Sequence, residues 1–176
     1  ELIEYYKIKF KSRVYTPLNN SEKYTLVLMG RADFGLLGSY NKYKQTPFET
    51  FHVGGDGMTG SYTYATETIG LRGYDNGALT PYSDGRAYTR FSMELHFPFL
   101  LQPSSTIYGL AFVEGGNAWT SLENFNPFSL KRSAGVGVRI FLPMIGLMGI
   151  DWAYGFDKVQ GEKGGGHFHF ILGQEF

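Results

Sequence analysis

The chain has no cysteine among its 176 residues, so neither a disulfide framework nor a thiolate metal site is available to it. It has no excess of charge of either sign, with 16 Lys and Arg against 16 Asp and Glu, and thus no field that would draw nucleic acid. It has no run of about 18 apolar residues, which excludes a helical membrane span. Glu1 to Tyr6 also lacks the apolar core of a signal peptide, and the chain is expected to be the later part of a longer one. Set against these absences are 24 glycines and an aromatic content of 17 %, a pairing that fits short β-strands, tight turns and aromatic girdles.

The strands show as strict alternation. From Tyr5 to Tyr15 the odd positions carry Lys7, Lys9, Lys11 and Arg13, and the even ones Tyr6, Ile8, Phe10, Ser12 and Val14. The same period separates Tyr24, Leu26, Leu28, Ala32 and Phe34 from Thr25, Arg31 and Asp33. It separates Phe91, Met93, Leu95 and Phe97 from Arg90, Ser92, Glu94 and His96. Further strands are expected at 106–116, 132–142, 146–156 and 167–176, making about seven of a length that crosses a bilayer at a tilt. A soluble β-sandwich alternates in the same manner. The membrane reading is favoured by the polar face, which mixes glycine and serine with charge as a crowded lumen would, and by aromatics at strand ends such as Tyr5, Tyr15, Tyr24, Trp119 and Trp152. Tight connections at 19–23, 102–105 and 143–146 alternate with long ones at 35–87, 118–131 and 157–166, as periplasmic turns alternate with surface loops. Seven strands leave an open edge in lipid, so the fold class expected is all-β, an antiparallel transmembrane barrel of which residues 1–176 are a part.

The long loop at about 35–87 holds one arginine between glycines, Gly70, Leu71, Arg72, Gly73 and Tyr74. If that loop folds back into the barrel, Arg72 needs a partner, and parity turns Glu94 and Glu114 inward. A guanidinium can bridge two carboxylates where lysine cannot, and the flanking glycines let the backbone turn sharply against the wall.

These residues resemble the BamA-like outer-membrane assembly factors, also called the bacterial surface antigen family. One hallmark is an arginine loop of the form V-R-G-F or V-R-G-Y, matched by Leu71, Arg72, Gly73 and Tyr74; the other is F-x-D-x-G, matched by Phe112, Glu114 and Gly116. The likeness continues through "RSAGVGVRIFLPMIGLMGIDWAYGF" to "FHFILGQEF". Leucine stands for valine and glutamate for aspartate, and "MTGSYTYATET" reads as an insertion ahead of the arginine motif. The resemblance implies a sixteen-stranded outer-membrane barrel of which residues 1–176 are the C-terminal portion, with periplasmic POTRA domains preceding it. It implies insertion of nascent β-barrel proteins through a lateral seam, with accessory lipoproteins, the bilayer and lipopolysaccharide as partners, without nucleic acid, cofactor or metal. The seam residues would be Phe168, Phe170, Gly173 and Phe176 on the closing strand, which Gly164, Gly165 and Gly166 precede. A secretion transporter of the same superfamily, and a plain porin, are the alternatives.

Enzymatic readings are poorly supported. Glu94 and Glu114 as a glycosidase pair lack an aromatic sugar cleft, and no context selects Ser92, His96 and Asp33 as nucleophile, base and orienter. "GGDG" at 54–57 lacks the Lys and Ser or Thr of a phosphate loop. His167 and His169 share a strand face as metal ligands can, without a clear third ligand. The Lys7 to Arg13 stripe reads as a solvated lumen wall and not as a polyanion site.

Overall fold

The computed structural model describes residues 4–41, 43, 45–58, 66–82, 84–161 and 164–173. Seven strands form one antiparallel sheet in the order β1 (Tyr5–Pro17), β2 (Val27–Ser39), β5 (Ala87–Gln102), β6 (Ser105–Trp119), β7 (Lys131–Leu142), β8 (Gly146–Gly155) and β9 (Gly166–Leu172). Every pairing joins neighbours in the chain except β2 with β5, where the long loop intervenes. The loop itself carries β3 (Phe51–Val53) and β4 (Glu67–Ile69), a parallel pair.

Alternation sets the two faces. Outward lie Ile8, Phe10, Met93, Val113, Val136, Val138, Ile150, Trp152, Phe168 and Phe170, all exposed. They form the apolar band that lipid covers. Aromatic pairs run along it across strands, Phe10 to Phe34 at 6.1 Å and Phe34 to Phe91 at 5.4 Å between ring centroids, the contacts that pin register in a sheet. Inward, buried Asp33, Arg90, Ser92, Glu94, Glu114, Ser133, Arg139 and Asp151 line the concave wall.

Three expectations need correction. The second strand starts at Val27 and runs on to Ser39, so the loop begins at Tyr40 and not near Gly35. Gly35 stays in the ladder because it leaves room for the rings of Tyr88 and Phe51, which a Cβ would strike. Among the described residues the last strand runs to Leu172, and Gly173 lies just beyond it with φ +73, its N–H still donating to the Leu147 carbonyl at 2.7 Å. The inner face is also less polar than its alternation suggests. Leu37, Phe51, Val53, Ile69, Leu71, Tyr74 and Tyr88 form one buried cluster between loop and wall, so the loop is held by an apolar core of its own. The Phe176 assignment and most of the insertion-like segment, 59–65, fall outside the described residues.

Candidate functional site

The arginine turn is delivered to the wall by the small loop sheet. Leu71 exchanges backbone bonds with Gly55, its N–H donating to the Gly55 carbonyl at 3.0 Å and its own carbonyl accepting at 3.2 Å. This fixes Leu71 in the apolar cluster and aims the next side chain at the strands. Gly70 gives its carbonyl to Arg90 Nη1 at 2.5 Å, so the turn is held from the β5 side before Arg72 begins.

Arg72 is fully buried. Its Nε donates to Glu114 Oε1 at 3.1 Å, its Nη2 to the same oxygen at 2.6 Å, and its backbone N–H to Glu114 Oε2 at 3.0 Å. Nη2 also donates to Glu94 Oε1, and Nη1 to Asp151 Oδ2 at 2.9 Å. One planar fork thus joins carboxylates from β6, β5 and β8, a geometry a lysine ammonium cannot reproduce. Burial alone would pull the guanidinium pKa down, but Glu114 first, then Glu94 and Asp151, push it up, and the group stays charged. The ring of Phe112 lies under it, 3.5 Å from the guanidinium carbon to the centroid. In this desolvated setting the cation–π contact adds about 2 kcal/mol.

The F-x-E-x-G pattern on β6 therefore divides its labour. Phe112 supplies the floor and Glu114 the bidentate acceptor, while Gly116 supplies space: a Cβ there would stand 2.9 Å from the Thr89 carbonyl and 3.0 Å from Leu71 Cδ1. Gly73 sits at φ +90, and a Cβ on it would lie 2.8 Å from Ser133 Cβ and 3.1 Å from Gly155 N. Both the dihedral and the close approach require glycine. Tyr74 then turns over the end of the wall, its hydroxyl donating to the Arg132 carbonyl at 2.6 Å. Burial is the main cause that lifts this phenol to a pKa of about 12.

Residues outside the two motifs complete the site. Ser92 Oγ donates to Glu114 Oε1 at 3.1 Å, and His96 Nε2 lies 2.8 Å from Glu94 Oε2. Arg139 of β7 holds Asp151 with two bonds, at 2.5 and 2.8 Å. His169 Nε2 accepts the Gly73 N–H at 2.9 Å. Of these, Asp151 shares the inward parity of β8 with Gly149 and Ala153, so its direction could be read from the sequence, but its partner could not. Parity says which face a side chain occupies. It does not say at what height along the strand the loop will meet it.

The lysine stripe has partners of its own. Glu67 on β4 lies 2.9 Å from Lys9 Nζ, 3.2 Å from Lys7 Nζ and 3.7 Å from Lys11 Nζ, and Lys7 also reaches Glu49 at 3.0 Å. These cations clamp the loop and do not simply face water. On β9, Phe168 and Phe170 point outward, while His167 Nδ1 lies 3.2 Å from Asp75 Oδ1 of the loop.

The Omp85 superfamily domain matches residues 1–176. Among solved structures, the chain is similar to the crystal structure of BamA from Haemophilus ducreyi lacking POTRA domains 1–3, with a TM-score of 0.67 and 21 % identity. That match covers 96 % of this chain and 35 % of the other, so the chain spans about a third of the protein it resembles in fold. With the family match running through every strand of the sheet and both motifs, the chain belongs to the Omp85 superfamily, whose members are outer-membrane β-barrels.

Proposed function

We propose that this chain is the C-terminal part of an assembly factor that folds and inserts β-barrel proteins into the outer membrane, acting through a lateral seam with the arginine loop packed in the lumen. The observation that carries the reading is the arginine turn itself. One short segment binds side chains or backbone of β5, β6, β7, β8 and β9 in a chain matched throughout by the Omp85 domain. A plug tied so widely holds β5 to β9 in one register and leaves the outer edge of β9 as the place where a strand can add. The edge strand β9 is short and follows Gly164 and Gly165, and its even residues turn their N–H and C=O groups away from β8. Apart from the Leu172 N–H, which donates to Met58 Sδ at 3.3 Å, such a row accepts an incoming strand by β-augmentation, with no nucleotide and no covalent step.

Nascent outer-membrane proteins are the substrates in this reading, and accessory lipoproteins and lipopolysaccharide the partners. The test is insertion of a reporter barrel into liposomes by the full-length protein, beside single-channel conductance of the same preparation with the loop deleted. Accelerated insertion without a stable large pore is expected. A large steady pore with no acceleration would favour a secretion transporter and overturn the proposal.

A further inference from the structure

The arginine turn is held at its other end by an unusual bond: a backbone N–H donated to a histidine nitrogen on the last strand. His169 is 6 % exposed, and its Nε2 lies 2.9 Å from Gly73 N. An amide N–H can only donate, so Nε2 must be an unprotonated acceptor, which places the ring proton on Nδ1. Protonation would turn two donors toward each other at a position where Gly73, pressed against Ser133 and Gly155, has no room to slide. We infer that His169 is a positioning residue whose neutral imidazole seats the arginine turn on β9, and that its protonation unseats Gly73 while the carboxylate ties of Arg72 persist.

The charged groups around the ring come from every element packed on it. Asp151 of β8 is its cross-strand partner, Glu114 of β6 and Arg72 of the loop lie beyond it, and Arg139 of β7 is bound to Asp151. Asp56 of the loop also acts on it, and His167 stacks on it at 6.2 Å between centroids. Burial first, and then His167, oppose the charged imidazole, while Asp56, Asp151 and Glu114 favour it. Acid therefore frees the Gly73 end of the turn while the Arg72 end stays tied to Glu114 and Asp151, and the segment pivots instead of detaching.

This goes beyond the insertion reading, and its test does not measure insertion, so each can fail alone. Ser133 lies beneath Gly73, is 2 % exposed, and this chain has no other thiol. In the full-length protein in liposomes, with any cysteine elsewhere replaced, Ser133→Cys is labelled with a small charged methanethiosulfonate at about pH 8 and about pH 5, spanning histidine titration. Rates are divided by those of Tyr43→Cys, a position 98 % exposed, to remove the reagent's own pH dependence. The normalised rate should rise about tenfold in acid, the size expected for one lost hydrogen bond to a buried group. His169→Gln, whose amide oxygen can still accept, should be slow at both pH values, and His169→Leu fast at both. A flat profile with His169 present, or the same acid step in His169→Gln, overturns the inference.

Discussion

Arg72→Ala is the perturbation whose cost the geometry apportions most closely. The side chain binds Glu114, Glu94 and Asp151, but these acids do not suffer equally from its loss. Asp151 keeps both bonds to Arg139, and Glu94 keeps His96 at 2.8 Å. Glu114 keeps Ser92 at 3.1 Å and the backbone N–H of residue 72, and of the cations it retains the field of Arg90 in place of the direct guanidinium bonds. Breaking a buried pair from one side costs about 3 to 5 kcal/mol, chiefly from the stranded charge, and here that charge is Glu114. Adding Glu114→Gln to Arg72→Ala should therefore recover about 1 to 3 kcal/mol, although Glu114→Gln alone destabilises the wild type. Adding Asp151→Asn should recover nothing, because it strands Arg139 instead. The assay is urea unfolding of the full-length protein in lipid, followed by heat-modifiable mobility of the folded barrel. Arg72→Ala with an unchanged midpoint, or Glu114→Gln equally costly in both backgrounds, would refute the apportionment.

Arg72→Lys should retain less than half of the arginine's contribution, since one ammonium cannot reach three carboxylates; the same unfolding series measures it. Gly116→Ala should cost about 1 to 3 kcal/mol by forcing Leu71 Cδ1 and the Thr89 carbonyl apart, and Leu71→Ala in that background should relieve part of the clash. Phe112→Leu should cost about 2 kcal/mol by removing the ring under Arg72, and Phe112→Trp should also destabilise, because the Phe112 ring tip already lies close over Gly135. The Glu67 clamp makes a pH prediction. Burial raises its pKa, but bonds from Lys9 and Lys7 outweigh this and leave it below the ordinary 4.5, so the stabilisation is complete above that pH and fades as the pH drops through the lowered value. Limited proteolysis of the loop should accelerate below about pH 4.5, and Glu67→Gln should show the fast rate already at neutral pH.

Strand placement was legible because a half-lipid, half-lumen wall imposes a period of two on every crossing, and the outward Ile150, Trp152 and Phe168 keep that period to the end of the sheet. The inward direction of Glu94, Glu114 and Asp151 followed from the same rule. What the period could not supply was height. The ladders set Glu114 opposite Ser133 and Ser133 opposite Gly155, four residues along β8 from Asp151, so the meeting of Arg72 with Asp151 depends on where the loop seats the guanidinium. The two loop strands were illegible for another reason. Phe51–Val53 and Glu67–Ile69 are too short for an alternation to be counted, and their pairing is parallel across a long gap. Their existence depends on the apolar cluster beneath them more than on local propensity.

The contacts of the loop divide the wall into two mechanical parts. The arginine turn ties β5, β6, β7, β8 and β9 through Arg90, Glu94, Glu114, the Arg132 carbonyl, Asp151 and His169. Glu49 and Glu67 tie the same loop to β1 through the lysines, across β2. The first set is buried and fixed in direction by a planar fork, while the second is partly exposed, with Lys7, Lys9 and Lys11 side chains 15 %, 40 % and 51 % exposed. Half-exposed ion pairs contribute on the order of 1 kcal/mol or less each and are weakened by salt. Strain applied to the wall should therefore part the loop from β1 before it disturbs the arginine turn, and raised ionic strength should favour that parting. A loop held hard on the β9 side and lightly on the β1 side moves with the last strands when the two parts separate.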